Sequence, residues 1–324
     1  MVALLSDGVS VVVPAHNAAE HIALAVASAL APSAVPVEVV VVDDASTDGT
    51  AAIVRRLAEA DPRVRLVSLH ENGGPSRARN RGIEAARHEW IGLLDADDRW
   101  MPGRLDRLAA LVASGAADVV SDDTEVADLA GHQWSLNRSV GRSPARGDPL
   151  GLLEYARRGW VPRPVARKAL FLQAGGFDER VAYGEDTLLY TRWLLGGARW
   201  VEHPAPGYVY VRRRGSLTGG GGEPRQLVGV LERLRQESIK AGRPDVAVAL
   251  RPRARRARAD AAFADAIRAS RRGSVGERAR SLAALLPHTV ELGRRVRDGV
   301  AGRLRLAHAR RSGSVLQRSI PPVQ

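Results

Sequence analysis

Val9 to Val13, Val37 to Val42 and Ile91 to Leu94 are short apolar runs, and each ends in polar or acidic residues. Runs of four to six such residues with little alternation read as strands buried on both faces. The third run delivers three carboxylates, Asp95, Asp97 and Asp98. Carboxylates at close range repel, and burial raises the cost of keeping them charged. A divalent cation with oxygen ligands relieves both problems. The Asp-x-Asp spacing suits this, because alternate strand residues point the same way. A solvated acidic turn, with Asp98 capping a following helix, is the other reading of the same residues. The second run leads into Asp43-Asp44 and Ser46-Thr-Asp48-Gly, which supply either ligand contacts or N-cap residues for the next helix.

Between the runs the pattern turns helical. Glu20 to Leu30 carries Ile22, Val26 and Leu30 on one face, and the helix after Gly49 carries Ile53, Val54 and Leu57. Arg63 to Leu69 predicts a third strand, and Pro75 a helix start, where a missing N–H costs nothing. Pro14 is expected to end the first strand. This β-α-β-α-β-α-β order predicts an α/β fold, a mostly parallel sheet with helices on both faces. Ligands of such sheets sit at the carboxyl ends of the strands, where the polar clusters lie. Farther on, helices are expected at 102–112, 150–158, 168–174 and 187–195, and strands at 118–121 and 208–212. A polar loop is expected over 124–148, an extended segment over 160–164, and a flexible boundary at 219–222.

The ordered set is Pro14-Ala-His-Asn17, Asp43-Asp44, Asn72-Gly-Gly-Pro-Ser-Arg-Ala-Arg79, Asp95-Ala-Asp97 and Gly184-Glu185-Asp186. It closely resembles the family 2 glycosyltransferases, inverting enzymes of the Rossmann-like GT-A fold, over roughly residues 8 to 218. The resemblance implies a catalytic domain over 1–222, with a nucleotide-sugar half at about 8–100 and an acceptor half at about 101–218. It implies transfer of a sugar from a nucleoside diphosphate sugar, a UDP-sugar, to a glycan or lipid-linked acceptor in cell-surface polysaccharide or glycoconjugate synthesis. Pro14, Ala15, Asn17, Asp44, Asn72, Arg79 and Asp95 would hold the donor. Asp97, with Asp95, would hold Mg2+ or Mn2+. Asp186 would be the base and Glu185 its support. The bland readings are capping for Asp43 and Asp44, a solvated helix face for Arg77, Arg79 and Arg81, and favourable acids at a helix N-terminus for Glu185 and Asp186. A non-catalytic nucleotide-sugar or glycan-binding module on the same fold is the alternative function. No Gly-x-Gly-x-x-Gly follows the first strand, which disfavours a Rossmann oxidoreductase.

Composition bears mainly on the remainder. Residues 223–324 hold 23 Lys+Arg against 9 Asp+Glu, a net of +14, while the chain as a whole is +12. The pattern predicts a basic helical C-terminal extension there, with a stripe of Leu227, Val230, Leu231 and Leu234. Its partner is either an anionic membrane surface, through Leu282 to Leu306, or the catalytic domain itself. Only two of the 48 basic residues are lysine, a bias that genome composition produces without a nucleic-acid partner, and none is expected. The chain has no cysteine, which excludes disulfides and thiolate metal sites. Met1 to Gly8 lacks a basic n-region, so no signal peptide is expected. A cytoplasmic protein, peripheral on the inner face of the membrane, is the expectation.

Overall fold

The computed structural model describes residues 8–113, 117–128, 134–135, 151–157, 163–212, 224–272 and residue 285. The first half alternates as expected: β1 (Val9–Ala15), α1 (Ile22–Ala29), β2 (Val37–Asp43), α2 (Thr50–Ala60), β3 (Val64–Ser68), α3 (Gly74–Ala85) and β4 (Trp90–Leu93). The four strands lie parallel in the order β3-β2-β1-β4. The valine runs explain this layering. Val9, Val11 and Val13 pack with Ile22, Ala25 and Val26 of α1, while Val12 turns to the other face with Ile83 of α3. Helix α3 lies so close that a Cβ on Gly82 would come within 2.3 Å of Val12 Cγ1.

Pro14 does not end β1. The strand runs on to Ala15, with Pro14 paired to Val42. The Val12 carbonyl accepts from Leu94 N–H on the β4 side, and the β1–β4 pairing stops at Val12 and Leu93. Two residues on, Pro14 turns its missing donor to that same side, where no ladder needs it.

The second half adds β5 (Arg99–Trp100), α4 (Arg104–Ala113), β6 (Val119–Asp128), β7 (Trp134–Ser135), α5 (Leu152–Arg157), β8 (Val165–Arg167), α6 (Lys168–Gln173), α7 (Glu185–Leu195) and β9 (Trp200–Arg212). The sheet continues from β4 through β8, β6 and β9 to β5, with β7 on β6. Strand β8 runs antiparallel to both neighbours, and β9 runs parallel to β6. Two expectations need correction here. Strand β6 extends to Asp128, into the stretch expected as a loop, and β9 begins at Trp200 rather than Tyr208. Their polar residues hid them: Ser121 donates to Glu202 (3.2 Å) and Trp200 Nε1 donates to Ser121 (2.8 Å), so polar side chains satisfy one another inside the sheet. Strand β7 also falls in the stretch expected as a loop; the rest of that loop, residues 160–162 of the expected extended segment, the 219–222 boundary and 282–306, apart from residue 285, lie outside the described residues.

The extension is helical, as α8 (Pro224–Lys240), α9 (Pro244–Ala249) and α10 (Arg251–Arg272). Its expected stripe is buried: Val230, Leu231 and Leu234 pack with Val246, Leu250, Ala254 and Ala257, and with Ala156 of α5 and Leu188 of α7. These helices therefore pack on α5 and α7. Among the described residues, no helix is long and apolar enough to cross a membrane.

One buried ion pair joins the sheet to the site. Arg104 donates to both Asp122 oxygens (2.9–3.1 Å), stacks 4.5 Å over Trp100, and donates to the Arg163 carbonyl (2.6 Å). Both side chains are 1% exposed. Asp122→Ala would leave a buried guanidinium uncompensated, so we expect a loss of about 3–5 kcal/mol in denaturant unfolding. A change under 1 kcal/mol would contradict that reading of the pair.

Candidate active site

The carboxyl ends of β1, β2 and β4 and the N-termini of α3 and α7 meet at one place. At the β1–β2 end, Asp44 N–H donates to the Ala15 carbonyl (2.8 Å) and Asn72 Nδ2 to the Asp44 carbonyl (3.4 Å). The buried Asp44 carboxylate accepts from the amides of Gly73 (2.9 Å) and Gly74 (2.8 Å), at the start of α3. At α2 the N-cap position is Gly49, and it is Asp48, not Asp43 or Asp44, that accepts from the first amide of the helix, Thr50 N–H (2.9 Å). Asn17, with φ of 50°, accepts from Thr47 N–H (2.9 Å) and ties the first loop to the second. His16 Nδ1 donates to the Asp44 carbonyl (2.8 Å). Pro14, Ala15, Asn17, Asp44 and Asn72 thus lie together at the ends of β1 and β2, with hydrogen bonds joining Asp44 to Ala15 and Asn72 and joining Asn17 to the second loop.

The second cluster holds the acids. Arg79 is buried, and its guanidinium spans Asp95 (2.8 Å) and Glu185 (2.8 Å). Arg77 and Arg81 behave as the solvated face expected of such a helix, paired with Glu71 and Glu84. Arg79 differs because i+2 on a helix turns it inward, over the Phe177 ring at 5.4 Å. Arg163 forms a second bridge, from Asp95 (3.0 Å) to Asp186 (3.2 Å). Two arginines and three acids therefore link the end of β4 to the first turn of α7.

The electrostatics follow from burial and these partners. Burial pushes the Asp95 carboxyl up, but Arg163 and Arg79 together outweigh it and hold the group well below the usual carboxylate range. Burial and the neighbouring Asp186 charge raise Glu185, against the pull of Arg79. Burial, with repulsion from Asp95 and Asp97, pushes Asp98 well above its ordinary value. Asp98 caps no helix. It accepts from the Tyr208 hydroxyl (2.7 Å) and Val211 N–H (2.8 Å), fastening β9 to the acidic turn.

The residues admit a cation in a restricted way. Among the described residues, no group of three or more His, Cys, Asp or Glu side chains could hold a metal ion. Both Asp95 oxygens already accept from arginine. Asp97, half-buried on the same turn, offers hard oxygen. That fits Mg2+ or Mn2+ bound through one carboxylate, phosphate oxygens and water, and does not make a cage by itself.

Sequence reasoning did not single out Arg163 or Tyr208. The signal at Arg163 is its place between Pro162 and Pro164, an extended stretch with no apolar periodicity. Such a stretch has no packing role that would explain an arginine. Trp193 is core: it packs edge-on to Phe171 (4.7 Å) and stacks on Tyr190 (4.8 Å).

Residues 10–167 match the profile described as Glycosyl transferase family 2. The succinoglycan biosynthesis protein ExoO of Rhizobium meliloti (strain 1021) is 39% identical over 220 residues, covering 65% of this chain and 62% of that protein. ExoU, another succinoglycan biosynthesis protein of that strain, is 37% identical over 231 residues, covering 68% of this chain and 66% of that protein. The chain thus spans less than two thirds of the length of these curated relatives. The crystal structure of S. aureus TarS 1-349 in complex with UDP-GlcNAc aligns with a TM-score of 0.64 at 21% identity, over 89% of this chain and 91% of that one. The architecture is the expected GT-A fold with a helical C-terminal region, and residues 10–167 carry the glycosyl transferase family 2 domain.

Proposed function

We propose that this chain is an inverting glycosyltransferase that moves a sugar from a UDP-sugar to a glycan or lipid-linked acceptor in cell-surface polysaccharide synthesis. The observation that carries the reading is the shared network in which Arg79 and Arg163 join Asp95 to Glu185 and Asp186. It puts a donor-side acid and an acceptor-side acid in one cluster, as displacement at a sugar C1 requires. The names of the relatives, succinoglycan biosynthesis proteins, and the UDP-GlcNAc complex of TarS support the pathway class and the donor class.

In this reading Pro14, Ala15, Asn17, Asp44 and Asn72 receive the nucleoside. Asp186 takes the proton of the acceptor hydroxyl as its oxygen bonds to C1. The C1–O bond to the nucleoside diphosphate breaks, the leaving group keeps the electron pair, and the configuration at C1 inverts. Asp186 suits the base role better than Glu185 because it is the less buried of the two, each being paired with one arginine. Glu185 supports the base by holding Arg79, and through it Asp95. Asp97 would hold Mg2+ or Mn2+, which neutralises the departing diphosphate when bound. Residues 1–222 carry the donor and acceptor halves and 223–324 the extension. Any membrane contact falls to the part beyond Arg272, at the cytoplasmic face.

A screen of UDP-, GDP- and dTDP-sugars with Mn2+, followed by donor turnover, tests the donor class. We expect turnover with a UDP-sugar alone, and a GDP-sugar preference would overturn that choice. Asp97→Asn should abolish metal-dependent turnover while leaving the melting temperature unchanged or raised, because it removes a repelling acid. Full wild-type activity in EDTA would reject the metal assignment.

A further inference from the structure

The C-terminal helices reach the turn that carries Asp186. Gly184, at φ of 90°, faces α8: a Cβ there would lie 3.0 Å from Leu227 and 3.7 Å from Val230. Leu188, one turn on, is buried among Val230, Leu231 and Leu234. From α10, Arg253 Nη2 donates to the Thr187 hydroxyl (3.3 Å). The Thr187 amide in turn donates to Asp186 Oδ1 (2.7 Å). So residues 184, 187 and 188 are each met by a side chain of the extension.

Arg253 is not explained by surface packing. Its Nη1 is shut from solvent and has no hydrogen-bond partner among the described residues, and the same holds for the Tyr155 hydroxyl of α5. Buried donors left without partners are costly, so the position of this arginine calls for an explanation beyond packing. Burial lowers the Arg253 pKa, while the neighbouring Tyr155 and Asp186 act against that, which places the three groups in one another's fields. Arg163 reaches Asp186 from the other side.

We propose that Arg253 is a positioning residue for Asp186, and that the C-terminal extension is thereby part of the catalytic unit, clamping the 184–188 turn from behind. The proposal rests on the reading of Asp186 as the base. Arg253 fixes Thr187 and contributes positive charge behind the carboxylate, while Arg163 holds it from the donor side. The hydrogen bonds of the donor rim around Asp44 and Asn17 run to Ala15, Thr47, Gly73 and Gly74, so donor affinity is outside the reach of Arg253.

The test uses the full chain and three variants, Arg253→Met, Arg253→Lys and Asp186→Asn. UDP release from UDP-glucose, UDP-galactose and UDP-GlcNAc with Mn2+ gives kcat and KM, calorimetry gives UDP affinity, and amide exchange reports on residues 184–188. For Arg253→Met we expect kcat to fall roughly 10- to 100-fold, with KM and UDP affinity unchanged and exchange faster only over 184–188. Arg253→Lys should lie between Met and wild type, since lysine restores charge without the fork. Wild-type kcat and exchange in Arg253→Met would overturn the proposal. So would a loss of UDP affinity with faster exchange throughout the chain, which marks general destabilisation. Should Arg253→Met fail to fold, Arg253→Lys decides: a lower kcat at constant KM supports the role, and wild-type kcat rejects it. Wild-type turnover in Asp186→Asn, or no UDP release by wild type, means that the base reading has failed. Exchange over 184–188 then decides on Arg253 by itself.

Discussion

Asp186→Asn is expected to lower glycosyl transfer by roughly 10²–10⁴-fold while UDP affinity stays within a factor of two or so of wild type. The substitution keeps the shape of the side chain. An amide oxygen can still accept from Thr187 N–H, which now bonds Asp186 Oδ1 at 2.7 Å. What is lost is the ability to take a proton. The donor rim lies at the ends of β1 and β2, and its contacts run among Ala15, Asn17, Asp44, Asn72, Gly73 and Gly74, none of which touches Asp186. Transfer kinetics paired with UDP calorimetry separate the two effects. Near wild-type transfer would remove Asp186 from the mechanism. A lost UDP site would make it part of the donor-site structure.

Arg79→Met is expected to be the most damaging substitution to the fold of the site. The guanidinium is buried and donates to Glu185 Oε1 and to Asp95 Oδ1. Removing one member of such a network costs about 3–5 kcal/mol, because the acids left behind stay buried. The effect should depend on pH through Glu185. Its folded-state pKa is already raised, by burial and by Asp186, and Arg79 is the leading counterweight. A group with a raised folded pKa gives stability that is present below its unfolded value, near 4.3, and lost as pH rises through the folded value. Without Arg79 that folded value climbs further. The deficit of the variant should therefore be larger at pH 8 than at pH 5. Asp95 keeps Arg163 and adds less to this difference. Urea unfolding of both proteins at the two pH values measures it. A deficit independent of pH would show that Glu185 does not carry the lost interaction.

The parts of the molecule that were legible in the sequence were those where a local pattern has a local cause. Valine runs, interrupted only by Ser10 and Glu38, gave β1 and β2, because a strand covered on both faces needs no regular polar alternation. The stripe of Val230, Leu231 and Leu234 gave α8 by its period. Polar residues after β1 and acids after β2 and β4 pointed to one end of the sheet. Where the cause is tertiary, the sequence was silent or ambiguous. Arg77, Arg79 and Arg81 look alike in the chain, and only packing against Phe177 and the three-dimensional nearness of Asp95 and Glu185 turns Arg79 inward. Arg163 lies 68 residues from Asp95, and nothing local to it announces the pair. Strand β6 was cut short in the reading because Asp122 and Thr124 look like loop residues. Arg104 neutralises Asp122 inside the sheet, and a bulge at 122–124 absorbs the irregular register.

The central claim is that the Asp95–Arg79–Glu185 and Asp95–Arg163–Asp186 bridges form the centre of an inverting glycosyl transfer. The stereochemistry of the product tests it most directly. With an α-linked UDP-sugar, Mn2+ and an acceptor found by UDP release, proton NMR of the fresh product should show the β-anomer. The same reaction with Asp186→Asn should show almost none. An α-linked product, or equal product from the variant, would contradict the account.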